Sequence, residues 1–324
     1  GLGTKQFDGV HGGHGQTGTV DQTADIAVQA DVGQVEFGGF YFCRIFFIEI
    51  AVGHDFWMAE QRVGVKVELG VDIDEITLDQ GRATGAIARD GKVFNAERVI
   101  CNADPPTVYA QMLSADGNRR KRLASDKFTH YSMGLYVLFF GTKRQYTDVA
   151  HHTIWMGARY KELLSDIFDK KILADDFSLY VHRPTATDPS FAPDGCESFY
   201  VLCPVPNLQG DIDWQTEGPK LRDRIVSALE DSILPELSSA IEEVFWMTPE
   251  DFANDYRSMH GAGFSIEPRL TQSAWFRFHN RHRNVKNLYF VGAGTHPGAG
   301  LPGVVSSAKV VEELLTGVEV GSGG

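Results

Sequence analysis

The chain has 324 residues, 30 basic and 43 acidic side chains, a formal net charge of −13, and 43% hydrophobic and 23% charged residues. That balance excludes a wholly disordered chain, a collagen and a coiled coil, and leaves room for about two domains. Its acidity argues against nucleic acid as a partner, because phosphate binding needs clustered Lys and Arg. Four cysteines (Cys43, Cys101, Cys196, Cys203) are too few for a disulfide scaffold, and without a C-x-x-C pair a cysteine-based structural zinc site has no support; they read as reduced thiols of a cytoplasmic protein.

Residues 1–63 differ from the rest. They hold eleven Gly, a single Leu (Leu2) and no Ser, Asn or Pro, with three basic against eight acidic side chains. The opening stretch, Gly1 to Gly18, has neither the basic nor the apolar region of a signal peptide. The most apolar stretch, Phe37 to Gly53, is 17 residues long and carries Arg44 and Glu49. A spanning helix needs about 20 residues with few charges, so no transmembrane helix is expected and peripheral membrane contact stays open. The aromatic run from Phe37 to Phe47 is compatible with a strand pair but lacks clean alternation. Residues 1–63 therefore stay unassigned, as a segment foreign to the domain that begins at Gly64: a misread frame, a fusion or a degraded gene start.

From Gly64 the pattern is α/β. Val65–Leu69 alternates as a strand. Further strands are expected around Val71–Leu78, Ala83–Arg89 and Val99–Cys101, separated by turns at Asp79–Gly81 and Asp90–Gly91, and together they read as a β-meander. Pro105-Pro106 opens a helix through Leu113. Tyr131–Phe140, Phe177–His182 and Ser198–Cys203 read as strands. Leu221, Ile225, Val226, Leu229 and Ile233 recur at helical spacing within Lys220–Leu234. Asn287–Val291 is a strand that runs into a Gly-rich turn, Gly292–Gly303. A helix then continues to about Leu315, and 317–324 is a Gly-rich tail.

That turn carries the strongest chemical signal. Five Gly occur within the twelve residues 292–303, beside Pro297 and Pro302. Glycine admits close backbone approach, and the following helix offers free N–H groups and a partial positive charge. Such an end holds a phosphate or the electron-rich edge of a flavin; the competing reading is a tight turn with no ligand.

Residues 292–309, GAGTHPGAGLPGVVSSAK, resemble the C-terminal signature of the bacterial-type phytoene desaturases, FAD-dependent carotenoid desaturases of the amine-oxidase-like superfamily. Leu270–Arg281, Asp176–His182, Ala150–Tyr160, Phe199–Pro206 and Thr216–Leu229 resemble other segments of that family, in order, over about Gly64–Leu315. The resemblance implies an α/β fold in which an FAD-binding Rossmann-like domain, here incomplete, is interleaved with a mixed-sheet α+β substrate domain. Residues 64–110 and 271–316 would belong to the first and 111–270 to the second. It implies desaturation of 15-cis-phytoene toward lycopene, with hydride passing to FAD, an apolar polyene as substrate and peripheral contact with a membrane. The electron acceptor stays unknown. By position, Gly294, Thr295, Pro302, Gly303 and Val304 would lie along the flavin and its ribityl–pyrophosphate, and Val71 and Asn102 beside the adenosine. For Val71 and Asn102, ordinary sheet structure is the alternative. A related desaturase or oxidase of another carotenoid, or a non-catalytic lipid-binding chain, are the competing functions.

The departures from the family lie at the front. Gly13–Gly18 fits G-x-G-x-x-G by its letters, but no apolar strand precedes it and no helix follows, so the match reads as chance; the chain is expected to be a truncated form with weak or absent FAD affinity, and inactivity is an open alternative. Glu36 is a weak match to the ribose-binding acid, and Phe278 stands where the family has Pro. Tyr131, Met133, Leu135, Trp155 and Trp275 are candidates for an apolar channel, with plain core the favoured reading for Met133 and Leu135. No catalytic base stands out: His296 sits in the turn, where it can equally serve to shape it. His151-His152 and Asp175-Asp176 are adjacent pairs whose side chains should diverge on a strand. His11 and His14 have metal-like spacing without further ligands, so no metal is expected.

Overall fold

The computed structural model describes residues 66, 68–113 and 129–317, and the backbone of 34–37 and 40–43. Two short strands, β1 (Gln34–Phe37) and β2 (Phe40–Cys43), pair antiparallel, which places a strand pair where the aromatic run begins. The Gly13–Gly18 motif, His11, His14 and the tail from 318 lie outside the described residues.

Of the segment 65–69 expected as a strand, the described residues Lys66, Glu68 and Leu69 lie in no strand, and Glu68 is bridged by Lys66 and Lys92. The meander comprises β3 (Ile73–Asp79), β4 (Arg82–Ala88) and β5 (Val93–Asn95), all antiparallel. Gln80 and Gly81, both at positive φ, make the two-residue turn between β3 and β4. The fourth strand leaves this sheet. β6 (Val99–Cys101) hydrogen-bonds in parallel with a strand nearly 200 residues later, Val99 N to Asn287 O at 2.8 Å and Val291 N to Cys101 O at 3.0 Å. A parallel pair needs a long crossover, which local alternation cannot reveal. After β6 comes a short helix, α1 (Pro105–Thr107), that runs into a wider π-wound turn, Val108–Met112.

The second sheet is built from β7 (Gly134–Thr142), β8 (His152–Trp155), β9 (Leu179–His182), β10 (Glu197–Val205) and β11 (Ile241–Met247), in the order β11-β7-β10-β9-β8, entirely antiparallel. Between these strands lie α2 (Tyr160–Ser165), α3 (Trp214–Glu230) and α4 (Leu237–Ala240). Every residue of β7 is buried, so both faces of the sheet are covered at its centre. On one face Tyr136, Leu138, Phe140, Phe199 and Val201 pack against Trp214, Leu221, Ile225 and Leu229 of α3, a core in which each large side chain contributes roughly 1.5–3 kcal/mol. The helix starts six residues before the sequence expectation because Asp213 caps it, accepting from Gln215 N at 3.1 Å and Thr216 N at 3.3 Å. Tyr136 reaches across from β7 to donate its hydroxyl to Gly218 O at 2.9 Å. Tyr136→Phe removes only this bond and should lower the unfolding free energy by about 1 kcal/mol, read as a shift of the urea midpoint at unchanged slope.

The opposite face carries Leu135, Val137, Phe139, Leu202 and Met247, covered by Phe252 of α5 (Pro249–Asp255). The chain ends in β12 (Leu288–Phe290), the partner of β6, and α6 (Leu301–Thr316). Arg257 joins the two parts: it pairs with Asp72 at 2.9 Å and Asp74 at 3.1 Å, and its carbonyl accepts from Thr107 Oγ1 at 2.6 Å.

Candidate cofactor site at the ends of the parallel strands

Because β6 and β12 run parallel, the loops that leave their C-terminal ends lie side by side, the position at which open α/β sheets bind ligands. One loop is Asn102–Asp104 and the other Gly292–Gly300. They meet at Gly292, and Gly294 packs against the start of the helix that follows the first loop. Gly292 has φ +100°, and a Cβ there would collide with Asn102 Oδ1. A Cβ on Gly294 would collide with the Pro105 ring and come within 2.9 Å of Ser265 Oγ.

The loop is held from below by buried polar side chains. Arg277, 3% exposed, donates twice to Ala293 O, from Nε at 3.0 Å and Nη2 at 2.6 Å, and once to Ile266 O at 3.3 Å. Asn280 Nδ2 donates to Phe290 O at 3.1 Å and His296 O at 2.9 Å. Ser307 Oγ of α6 accepts from Gly292 N at 2.8 Å. Thr295 is fully buried and donates its hydroxyl to Gly292 O at 2.9 Å, so it shapes the turn. Asp104 accepts from Met259 N at 3.1 Å and from the Ser265 hydroxyl. Burial raises its carboxyl above the ordinary range, against the pull of Ser265, Met259 and Arg277.

The turn ends on the start of α6. The helix begins at Leu301, so Pro302 and Gly303 form its first turn. Gly300, at φ +94°, is the N-cap residue; no side chain caps the helix, and its first turn holds no acid. Val304 N donates to Gly300 O at 2.9 Å, and a Cβ on Gly303 would lie 2.6 Å from Gly298 O, so the loop folds directly over the helix start. An uncapped helix end of positive polarity, reached through glycines at the ends of parallel strands, fits a phosphate or an electron-rich ring edge.

The structure therefore sets the loops that carry Asn102 and Gly294 side by side, with Thr295 buried beneath the turn and Pro302, Gly303 and Val304 in the first turn of the helix it runs into. Val71 packs with the core of the meander, among Ile73, Ile76 and Ala88. Trp155 faces the α3 side of its sheet, 5.7 Å from the ring of Phe177, while Trp275 is 73% exposed and meets His279 edge-on at 5.0 Å. The structure thus does not unite the two tryptophans. Leu135 is core. Phe278 stacks on Tyr109 at 5.6 Å, and His296 Nδ1 lies 3.2 Å from Ala274 O. Arg277, Asn280 and Ser265 do not stand out in the sequence as site residues. A signal existed: Arg277 and Asn280 are polar residues set into the aromatic stretch 275–282.

The model of the flavin-containing amine oxidoreductase family matches residues 57–311. The chain belongs to this family. By that description its members hold a flavin. Among curated relatives, the phytoene desaturase (lycopene-forming) of a Paracoccus species is 46% identical over 256 residues, 79% of this chain and 51% of that protein. The phytoene desaturase (neurosporene-forming) of Rhodobacter capsulatus is 46% identical over 261 residues, 78% of this chain and 49% of that protein. The chain thus spans about half the length of the curated relatives it matches. Among solved structures, an oxidoreductase from Methanosarcina mazei shares the fold with a TM-score of 0.52 at 16% identity, covering 77% of this chain and 50% of that one. Among the described residues no helix is long and apolar enough to cross a membrane.

Proposed function

We propose that this family member is an FAD-dependent desaturase of a phytoene-like polyene, working at a membrane surface. The observation that carries the reading is the crevice at the ends of β6 and β12, a glycine turn running onto an uncapped helix, in a chain 46% identical to phytoene desaturases that form different products. When bound, the flavin accepts the hydride that leaves the substrate carbon. The chain's own residues do the rest. The start of α6 with Pro302, Gly303 and Val304 would hold the electron-rich part of the cofactor, and Arg277 and Asn280 hold the turn in place. Asn102 marks the end toward the adenosine, with Val71 behind it in the meander core.

The substrate offers no polar handle, so its binding rests on apolar surface at roughly 0.8 kcal/mol per buried CH₂. Leu270, Trp275, Phe276, Leu301 and Val305 form exposed apolar surface close in sequence to the turn, between 50% and 92% accessible. That surface suits an aliphatic chain or the edge of a bilayer better than water. Of the two tryptophans expected to line a channel, Trp275 suits this role and Trp155 serves the core.

FAD titrated into the purified 324-residue chain should give a saturable change in flavin absorbance that Gly294→Val abolishes. With phytoene-containing vesicles and FAD, coloured polyenes should accumulate. A folded chain with no saturable response to FAD would overturn the assignment of this crevice.

A further inference from the structure

A cluster outside that crevice carries chemistry of its own. In the register of the five-stranded sheet, Phe245, Phe139, Tyr200, His182 and His152 are direct cross-strand partners, one on each strand, on the face away from α3. At the edge of this row a third imidazole joins. His151, the residue before β8, does not diverge from its neighbours as simple alternation would have it: its Nε2 lies 2.8 Å from His182 Nε2, and its ring is 4.3 Å from that of His152. One nitrogen from each of the three rings lies within 4.8 Å of the other two.

We propose that His151, His152 and His182 form a binding site for a late first-row divalent cation, Zn²⁺ above all, at the β8 edge of the sheet. The ligand set is neutral imidazole, which selects Zn²⁺, Cu²⁺ or Ni²⁺ over Mg²⁺ and Ca²⁺. Tetrahedral zinc with Zn–N of 2.0–2.1 Å sets its nitrogens about 3.3 Å apart. The contact between His151 and His182 needs to open by about half an ångström, and the exposed ring of His152 to swing inward by about 1.5 Å, both within reach of χ rotations on an edge strand.

The surroundings support the assignment. The far nitrogen of His151 is anchored on the Thr187 hydroxyl, the arrangement that orients metal-bound imidazoles. The Tyr180 hydroxyl, 2.7 Å from His152 Nδ1, adds an oxygen at the rim. The nearest cation, Arg183, is paired with Glu197 at 2.8 Å, so its charge does not stand alone against an incoming ion. A bound ion would tie β8 to β9 through side chains as well as through the backbone ladder, at the outer strand of the sheet where pairing is one-sided. Three protein ligands leave a fourth position for water. The site stands on its own geometry and does not depend on the desaturase reading.

The test uses the untagged, chelator-treated full chain, with Zn²⁺ titrated by calorimetry and Co²⁺ by visible absorption. The chain has 11 histidines, so variants locate the site. One equivalent should bind to the wild type, with a tetrahedral Co²⁺ spectrum. His152→Ala, at an exposed position, and His182→Ala should each weaken binding by at least ~10-fold, and His11→Ala/His14→Ala should leave it unchanged. Zn²⁺ should raise the melting temperature of the wild type and not that of His152→Ala. Wild-type binding retained in His152→Ala, loss of binding in His11→Ala/His14→Ala, or no saturable binding to the folded chain would each overturn the site.

Discussion

Glu197→Ala should destabilise the protein by about 3–5 kcal/mol, the largest effect expected of a single side chain outside the apolar core. Glu197 and Arg183 are both buried and meet at 2.8 Å between β10 and the end of β9. The carboxylate is further satisfied by Thr185 Oγ1 at 3.0 Å, and the guanidinium by Val149 O at 2.8 Å. Each charge has left water and is compensated by the other. Removing the carboxylate leaves the guanidinium in a low-dielectric site with one carbonyl as acceptor, so the cost is the desolvation of an unmatched charge and exceeds the net worth of the pair. Two further variants separate these terms. Glu197→Gln keeps shape and one hydrogen bond and should lose less than Glu197→Ala. The double variant Arg183→Met/Glu197→Leu removes both charges and should recover most of the loss, giving a strong positive coupling in a double-mutant cycle. Urea unfolding monitored by tryptophan fluorescence measures all four. A loss below about 1 kcal/mol for Glu197→Ala would place the pair in effective contact with solvent and refute the argument.

Arg277→Met should loosen the cofactor crevice, weakening FAD binding by at least ~10-fold, or about 1.4 kcal/mol. Its guanidinium is a fork that holds Ala293 O with two donors at once while a third reaches Ile266 O. Those bonds fix the peptide between Gly292 and Gly294, the two glycines on which Asn102 and Pro105 close. Methionine fills similar volume but leaves the Ala293 carbonyl without its buried donors. The glycines on either side then let the loop relax, since they resist displacement less than any other residue. Burial already lowers the pKa of Arg277, with Asp104 opposing, so its charge is held at a cost that only the full set of acceptors offsets. Arg277→Lys keeps the charge but cannot make the fork and should fall between wild type and Arg277→Met. Arg277 is a positioning residue, and the FAD titration reads it apart from general stability. A fall in melting temperature with unchanged FAD affinity would show that it serves the fold alone.

Much of this fold is legible in the chain itself. The glycine turn at 292–303, the amphipathic pattern of α3 and the strand content of β7 and β10 are local signals: the period of the apolar residues and the density of glycine state them without reference to any other part of the chain. The family resemblance lies in the same contiguous segments, and with it the expectation of a flavin. What local pattern could not state was partnership. β6 looks like the last strand of the meander, yet its ladder is completed by β12, because a parallel pair is joined only through a long crossover. β8 and β11 are short or mixed in polarity and become strands only because β9 and β7 offer them hydrogen-bonding edges. Arg277 and Glu197 read as ordinary surface charges until the fold buries them beside their acceptors. His151 and His152 read as a divergent pair, because alternation holds only inside a strand and His151 precedes β8. The third ring comes from His182, 30 residues onward, set beside His152 by the antiparallel register. Sequence alone determined which segments are apolar, which turn is densest in glycine and which family the chain resembles. The tertiary structure decided which distant backbone edges meet, and so which charges and imidazoles face one another.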